Sequence, residues 1–199
     1  MAIDSVTSST KTIILFGVPG TGKTVLGSRI ARRTSRRFVT LSWIVLWHGL
    51  WSQYDRDRRS FVIEYEGLVN KLKEYRGYII ETHWLEPFLD AGVADIIVFT
   101  RVHPLVLYER LSRRNWPQRK IVENVEAELL GSLIGEALEA IRKGALVIEI
   151  DTSRITPEEA VEKVIAAIRV SESKCCINWL DSLSPQELEK IMRIIERYT

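Results

Sequence analysis

Residues Gly17 to Thr24 read GVPGTGKT and carry the spacing G-x-x-x-x-G-K-[ST]. These residue types point to phosphate chemistry. Glycines let a loop turn its backbone N–H groups inward around an anion, a lysine brings a cation to the β- and γ-phosphates, and a threonine hydroxyl ligates Mg²⁺. Gly17, Gly20, Thr21, Gly22, Lys23 and Thr24 are therefore candidate nucleotide-binding residues, with Lys23 also catalytic and Thr24 also a metal ligand. A glycine-rich turn with an exposed lysine is the bland alternative.

Two other places offer side chains where ligands of open α/β sheets bind, at the carboxyl ends of strands. Glu81-Thr82-His83-Trp84 closes the apolar run YIIE. There Glu81 would hold Mg²⁺ through water, and His83 would orient an attacking water or acceptor, unless both merely cap a strand. In LYERLSRRNWPQRK, residues 107 to 120, Arg110 and Arg114 are four apart and share a helix face, with NWPQ a short loop beyond them. Arginines there would close over the nucleotide and neutralise charge on a transferring phosphoryl group; a solvated basic helix end is the alternative.

Positioning these groups requires a parallel sheet. Apolar runs at 12–16, 37–41, 78–81, 95–100 and 145–150 read as buried strands, and helical patterns lie at about 24–35, 42–52, 64–75, 103–114, 118–142 and 157–170. Alternating strand and helix gives an α/β doubly wound fold with helices on both faces. Thr156-Pro157-Glu158-Glu159 reads as a helix cap followed by proline at the first helical position. The pattern changes after residue 170: SESK leads into CCINWL, and Ser184-Pro185 opens a last amphipathic helix. The expected organisation is one domain over 1–170 and a helical appendage over 171–199.

With 46% hydrophobic and 27% charged residues in 199, the composition excludes global disorder, and a net charge of +2 does not demand nucleic acid. The leading MAIDSVTSST lacks the pattern of a secretory signal, and no apolar run is long enough to cross a bilayer. Cys175 and Cys176 are adjacent, so a mutual disulfide would be strained and the pair cannot build a zinc site alone. The expected compartment is reducing: the cytoplasm, or the nucleus of a nucleated cell.

Two stripes stand apart from the cradle. Trp43, Trp47 and Trp51 fall at i, i+4 and i+8 of the expected 42–52 helix, either as core or as a surface that stacks on a base or docks a protein. Arg29, Arg32, Arg33, Arg36 and Arg37 form a basic edge, either solvated or set against rRNA phosphates. His48 and His103 read as structural. Asp151-Thr152-Ser153 either borders an adenine pocket or makes a turn.

GVPGTGKT, the ETH segment, YERLSRRNWPQRKIVENVEAE and, more weakly, YDRDRR with EGLVNKL resemble the adenylate kinase isoenzyme six family, nucleoside-monophosphate-kinase-fold proteins linked to small ribosomal subunit maturation. The resemblance spans about residues 12–168. It implies a P-loop NTPase with a five-stranded parallel sheet of order 2-3-1-4-5, a monophosphate-binding insertion at about 41–64 and a short lid at about 113–123. It adds Val25 to the phosphate-binding residues, makes Arg114 the lid arginine, and sets Glu81 and His83 in the Walker B positions. It implies Mg²⁺ and ATP as cofactors, adenylate kinase activity (ATP and AMP to two ADP) together with ATPase activity, and a ribosomal protein of the small-subunit platform as partner. Two departures bear on the reaction: Glu81 stands where the family usually has Asp, and Leu46 where adenylate kinases generally place an arginine that grips the acceptor phosphate. The rival readings are a nucleotide-switched assembly chaperone with slow hydrolysis and a small-molecule kinase of the same fold.

Overall fold

Ile13–Phe16, four successive apolar residues, form the central strand β1, and none of the four reaches solvent. A strand without polar alternation needs cover on both faces, which a parallel sheet between helix layers provides. In this computed structural model, which describes residues 10–55 and 60–198, β1 leads to α1 (Lys23–Thr34), β2 (Phe38–Thr40), α2 (Leu41–Trp47) and two hairpin strands, β3 (Trp51–Asp55) and β4 (Ser60–Ile63). Next come α3 (Tyr65–Leu72), a 3-10 turn at Lys73–Tyr75, β5 (Ile79–Thr82), α4 (Glu86–Asp90) and β6 (Ile96–Arg101). Helices α5 (Pro104–Ser112), α6 (Gln118–Leu129) and α7 (Ile134–Arg142) precede β7 (Leu146–Asp151). The remaining elements are α8 (Pro157–Val170), the short α9 (Trp179–Ser182) and α10 (Pro185–Glu196).

The main sheet runs β2-β5-β1-β6-β7 with every pairing parallel. With the hairpin strands left out of the count, this is the expected order 2-3-1-4-5. Alternation along β1 divides the core. Ile14 and Phe16 pack with Leu68, Leu72, Phe88 and Ala137 of α3, α4 and α7, while Ile13 and Leu15 pack with Leu26 and Ile30 of α1 and Val164 of α8. A third cluster joins Leu107 and Leu111 of α5, Ile121 and Val125 of α6, and Trp179, Ile191 and Ile195 from the C-terminal segment. That segment also meets the outer edge of β7, where Lys174 N donates to Val147 O at 2.9 Å and Glu149 N to Lys174 O at 3.0 Å. Covering an edge strand in this way removes a row of unpaired backbone groups.

Several sequence expectations need correction. The helix expected over 42–52 stops at Trp47, because Gly49 turns into left-handed backbone (φ +63°) and the following residues pair as a hairpin. Trp51 therefore lies on β3 against Phe61, and only Trp43 and Trp47 share a helix face, stacked with ring centroids 5.4 Å apart. Both are open to solvent, at 44% and 70%, so a core helix face is ruled out for them. The helix expected over 118–142 breaks into α6 and α7 around Gly131, whose φ is +64°. Arg36 and Arg37 fall beyond α1, which ends where Ser35 turns left-handed, so the basic edge begins on the helix and continues past its end. Four of its five members are engaged within the chain: Arg29 pairs with Glu158, Arg33 with Glu162, Arg36 donates to the carbonyls of Gly77 and Tyr78, and Arg37 lies over the Tyr78 ring. Cys175 and Cys176 are joined as a disulfide, the pairing that adjacency made a strained one in the sequence. Arg56 to Arg59 of the YDRDRR stretch and residues 1–9 of the leader lie outside the described residues.

Candidate functional site

The loop between β1 and α1 is held open by side chains that brace it from behind. Gly17 has φ +147°, and a Cβ there would stand 2.5 Å from Thr100 O, so only glycine fits. Thr21 Oγ1 lies 2.9 Å from Val18 O and 2.6 Å from Thr100 Oγ1, and Thr100 Oγ1 donates to Phe16 O at 3.0 Å. The Thr21 side chain thus ties the loop to β6, leaving its backbone as the group that faces a ligand. Gly22, left-handed at φ +93°, caps α1 with no side chain, and the first turn of α1 carries no acidic residue. Its free N–H groups and the helix dipole favour an anion.

Lys23 curls back over this loop, its Nζ donating to Val18 O at 3.0 Å, and the residue is only 6% exposed. Burial lowers its pKa from 10.5 to about 8; Glu81 opposes the shift, Arg114 adds to it, and Glu128 opposes it. Glu81 sits level with Leu15 on one side and Thr40 on the other, just short of the sheet's carboxyl edge. Its Oε2 is buried and has no hydrogen-bond partner. A carboxylate oxygen left unsatisfied inside a protein is costly, and a cation or its water would satisfy it. Thr24 is exposed at the start of α1. No group of three or more His, Cys, Asp or Glu side chains gathers as a ready metal site among the described residues. An ion between Thr24 and Glu81 would then complete its shell with phosphate oxygens and water, the habit of Mg²⁺.

His83 is exposed at the mouth, yet its pKa is lowered, first by the desolvating protein around the ring and then by the charge on Lys23, with Glu81 opposing and Lys120 adding. The shift favours the neutral imidazole, the form suited to orienting a water or hydroxyl. Arg110 is fixed to the end of β7, donating from Nη1 to Thr152 Oγ1 at 3.1 Å and from Nη2 to Thr152 O at 2.7 Å; Thr152 Oγ1 in turn lies 2.9 Å from Thr21 O. Arg114 follows α5 and is exposed. With Arg110, Gly20, Gly22 and Val25 it lines a cavity of about 240 Å³ whose far wall is Ile155, Pro157 and Ala160. Apolar walls beside two arginines match a nucleoside with its phosphates at the loop.

The structure therefore brings Gly20, Gly22, Val25, Arg110 and Arg114 to one cavity, and the charges of Glu81 and Arg114 to bear on Lys23. Sequence reading missed Ile155, Pro157 and Ala160 as walls, because their spacing signals only a helix start, and missed Lys120, whose charge reaches His83 from a position over the Trp116 ring, 4.8 Å from its centroid. Leu46 exposes half its surface and supplies no charge. A larger cavity of about 440 Å³ lies at the outer edge of β2, lined by Phe38, Trp43, Tyr75 and Tyr78 among others, and shares no lining residue with the first. Its polar side chains have partners within the protein: Arg37 donates to Tyr78 Oη and His48 bonds to Tyr75 Oη, each at 2.8 Å, and Glu74 accepts from Lys71 at 2.8 Å.

Residues 13–131 match the family model described as AAA domain. A protein of Saccharolobus islandicus (strain Y.G.57.14) named "Putative adenylate kinase" is 34% identical over 195 residues, covering 94% of this chain and 97% of its own length. One of the same name from Pyrococcus abyssi is 34% identical over 157 residues, covering 79% and 83%. Among solved structures, shikimate kinase from Acinetobacter baumannii superposes with a TM-score of 0.56 at 21% identity, covering 82% of this chain and 96% of its own. A sugar kinase from a Janibacter species superposes with a TM-score of 0.55 at 17% identity, covering 83% and 100%. These two share the P-loop kinase fold.

Proposed function

This chain belongs to an adenylate-kinase-like family of P-loop proteins, and we propose that it is a Mg²⁺-dependent, ATP-using phosphotransferase whose γ-phosphoryl group goes to water and to AMP. The observation that carries this reading is the buried Lys23, whose Nζ donates to Val18 O of its own loop, beside a Glu81 carboxylate with one buried oxygen unsatisfied. That is a site built to exchange protein contacts for phosphate and metal.

In this mechanism the backbone of 17–24 and Lys23 hold the β- and γ-phosphates, with Val25 at the cavity wall. Thr24 and Glu81 would hold Mg²⁺, which when bound offsets charge on the phosphate oxygens. His83 orients the acceptor oxygen, which bonds to the γ-phosphorus as the bond to the bridging oxygen of ADP breaks. Arg114 neutralises charge spread over the transferring group, and Arg110, locked to Thr152, sets the depth of the cavity.

The finer role follows the family resemblance: action in small ribosomal subunit assembly and rRNA maturation, in the cytoplasm or nucleus, with a platform ribosomal protein as partner. The open Trp43–Trp47 pair supports a docking face. The absence of an arginine at position 46 favours a second reading, an assembly chaperone whose slow hydrolysis times release of its partner. A kinase for another small molecule would emerge from an acceptor screen. Replacing Lys23 by Ala tests the core of the proposal: turnover should vanish, and turnover at the wild-type rate would refute it.

A further inference from the structure

Glu128 closes the VEAE stretch, and no part of the mechanism above uses it. It is 2% exposed, near the end of α6, the helix that returns from the 113–117 connection bearing Arg114. Its Oε1 accepts from Arg101 Nε at 2.8 Å, from Val102 N at 3.1 Å and from Trp179 Nε1 at 2.8 Å. Arg101, 1% exposed, also donates to Glu128 O at 3.2 Å, to Glu149 Oε1 at 2.9 Å and to Ile177 O at 3.1 Å. Val102 stands immediately before His103, the N-cap of α5, and α5 is the helix that carries Arg110 outward.

One carboxylate oxygen therefore joins three things: the strand end that launches the outgoing helix, the foot of the returning helix, and the C-terminal segment. Around it, Ile191 and Ile195 of α10 are buried in the cluster formed by Leu107, Leu111, Ile121 and Val125. Stability alone is a poor reason for such a group, since a buried ion pair is commonly no better than apolar packing of the same volume. Geometry is a better reason. Apolar contacts slide, whereas a buried acceptor holds its donors at set distances and directions.

We propose that Glu128 is a positioning residue: with Arg101 and Trp179 it pins the two legs of the 113–117 connection and so places Arg110 and Arg114 over the nucleotide. This rests on the phosphotransferase reading above. The C-terminal segment is then a working part of the nucleotide site through Trp179.

The test uses the full chain with Glu128→Met, which removes the acceptor oxygen while Glu149 remains as counter-ion to Arg101, and Trp179→Phe, which keeps an aromatic ring but removes the donor. Two quantities are read: steady-state kinetics with ATP, and the rate of tryptic cleavage at the exposed Arg113, Arg114, Arg119 and Lys120, with and without a non-hydrolysable ATP analogue. Loosened legs should cut kcat by about 10- to 100-fold, as displacements near 1 Å do. They should also speed cleavage in the free protein and abolish protection by the analogue, with nucleotide Kd at the P-loop within about threefold of wild type. Cleavage and protection like wild type in both variants would overturn the proposal, whatever their melting temperatures. If the wild-type chain itself turns over no ATP, the functional reading fails, and the cleavage arm still decides whether Glu128 holds the legs.

Discussion

Lys23 Nζ donates to Val18 O at 3.0 Å, so the cation proposed to meet a phosphate is parked on its own loop five residues upstream. Burial lowers its pKa from 10.5 to about 8. The unfolded chain therefore holds this proton more tightly than the folded one. The cost to the fold is fully present below pH 8 and is relieved as pH rises toward 10.5. Bound phosphates would make Lys23 keep its proton. ATP affinity should be flat from pH 6.5 to about 8 and then fall by up to about tenfold per unit, as titrations of wild type against Lys23→Met would show, the variant being flat throughout.

Removing Lys23 altogether should cost more in rate than in fold. Lys23→Ala deletes a charge-assisted donor aimed at the phosphates, a loss of about 10²–10³ in kcat or more. Its melting temperature should not fall, because the buried cation burdens the fold at neutral pH. A coupled assay for ADP and a thermal melt at pH 7 check the two halves.

Glu81→Gln makes a related trade. Its Oε2 is buried and unpartnered, so amidation removes a costly charge while weakening any hold on Mg²⁺. Turnover should fall by at least about 100-fold at millimolar Mg²⁺ with the melting temperature unchanged or raised. A variant that is destabilised yet fully active would reverse this assignment.

Trp47 and Ile44 are neighbours on α2 with opposite fates: Trp47 is 70% exposed and Ile44 fully buried. Ile44→Ala should destabilise by about 2–5 kcal/mol, and Trp47→Ala by no more than about 0.5 kcal/mol. If Trp47 serves a partner, its loss should weaken that complex while ATP turnover alone is unaffected. Chemical denaturation and pull-down with the ribosomal protein proposed as partner separate the effects.

Where chemistry is carried by local spacing, the sequence was readable. The P-loop, the five parallel strands, and the caps at Thr156 and Ser184 follow from patterns within a few residues, and both capping boxes are formed. Where a pattern is ambiguous over two turns, tertiary pairing decided. Trp51 sits at a helical interval from Trp47, yet cross-strand contact with Phe61 draws it into the hairpin. The engagement of the basic edge was not legible because the carboxylates that pair with Arg29 and Arg33 lie 129 residues away. The Arg101–Glu128–Trp179 junction was invisible for the same reason: its members are remote in sequence, and each alone reads as an ordinary surface charge or core aromatic.

The central claim is phosphoryl transfer at the 17–24 loop, and separating the products of ATP with Mg²⁺, with and without AMP, tests it most directly. Phosphate release without AMP, with ADP exceeding phosphate only when AMP is added, is the predicted result. ATP left intact under both conditions, by a folded protein, would contradict the account.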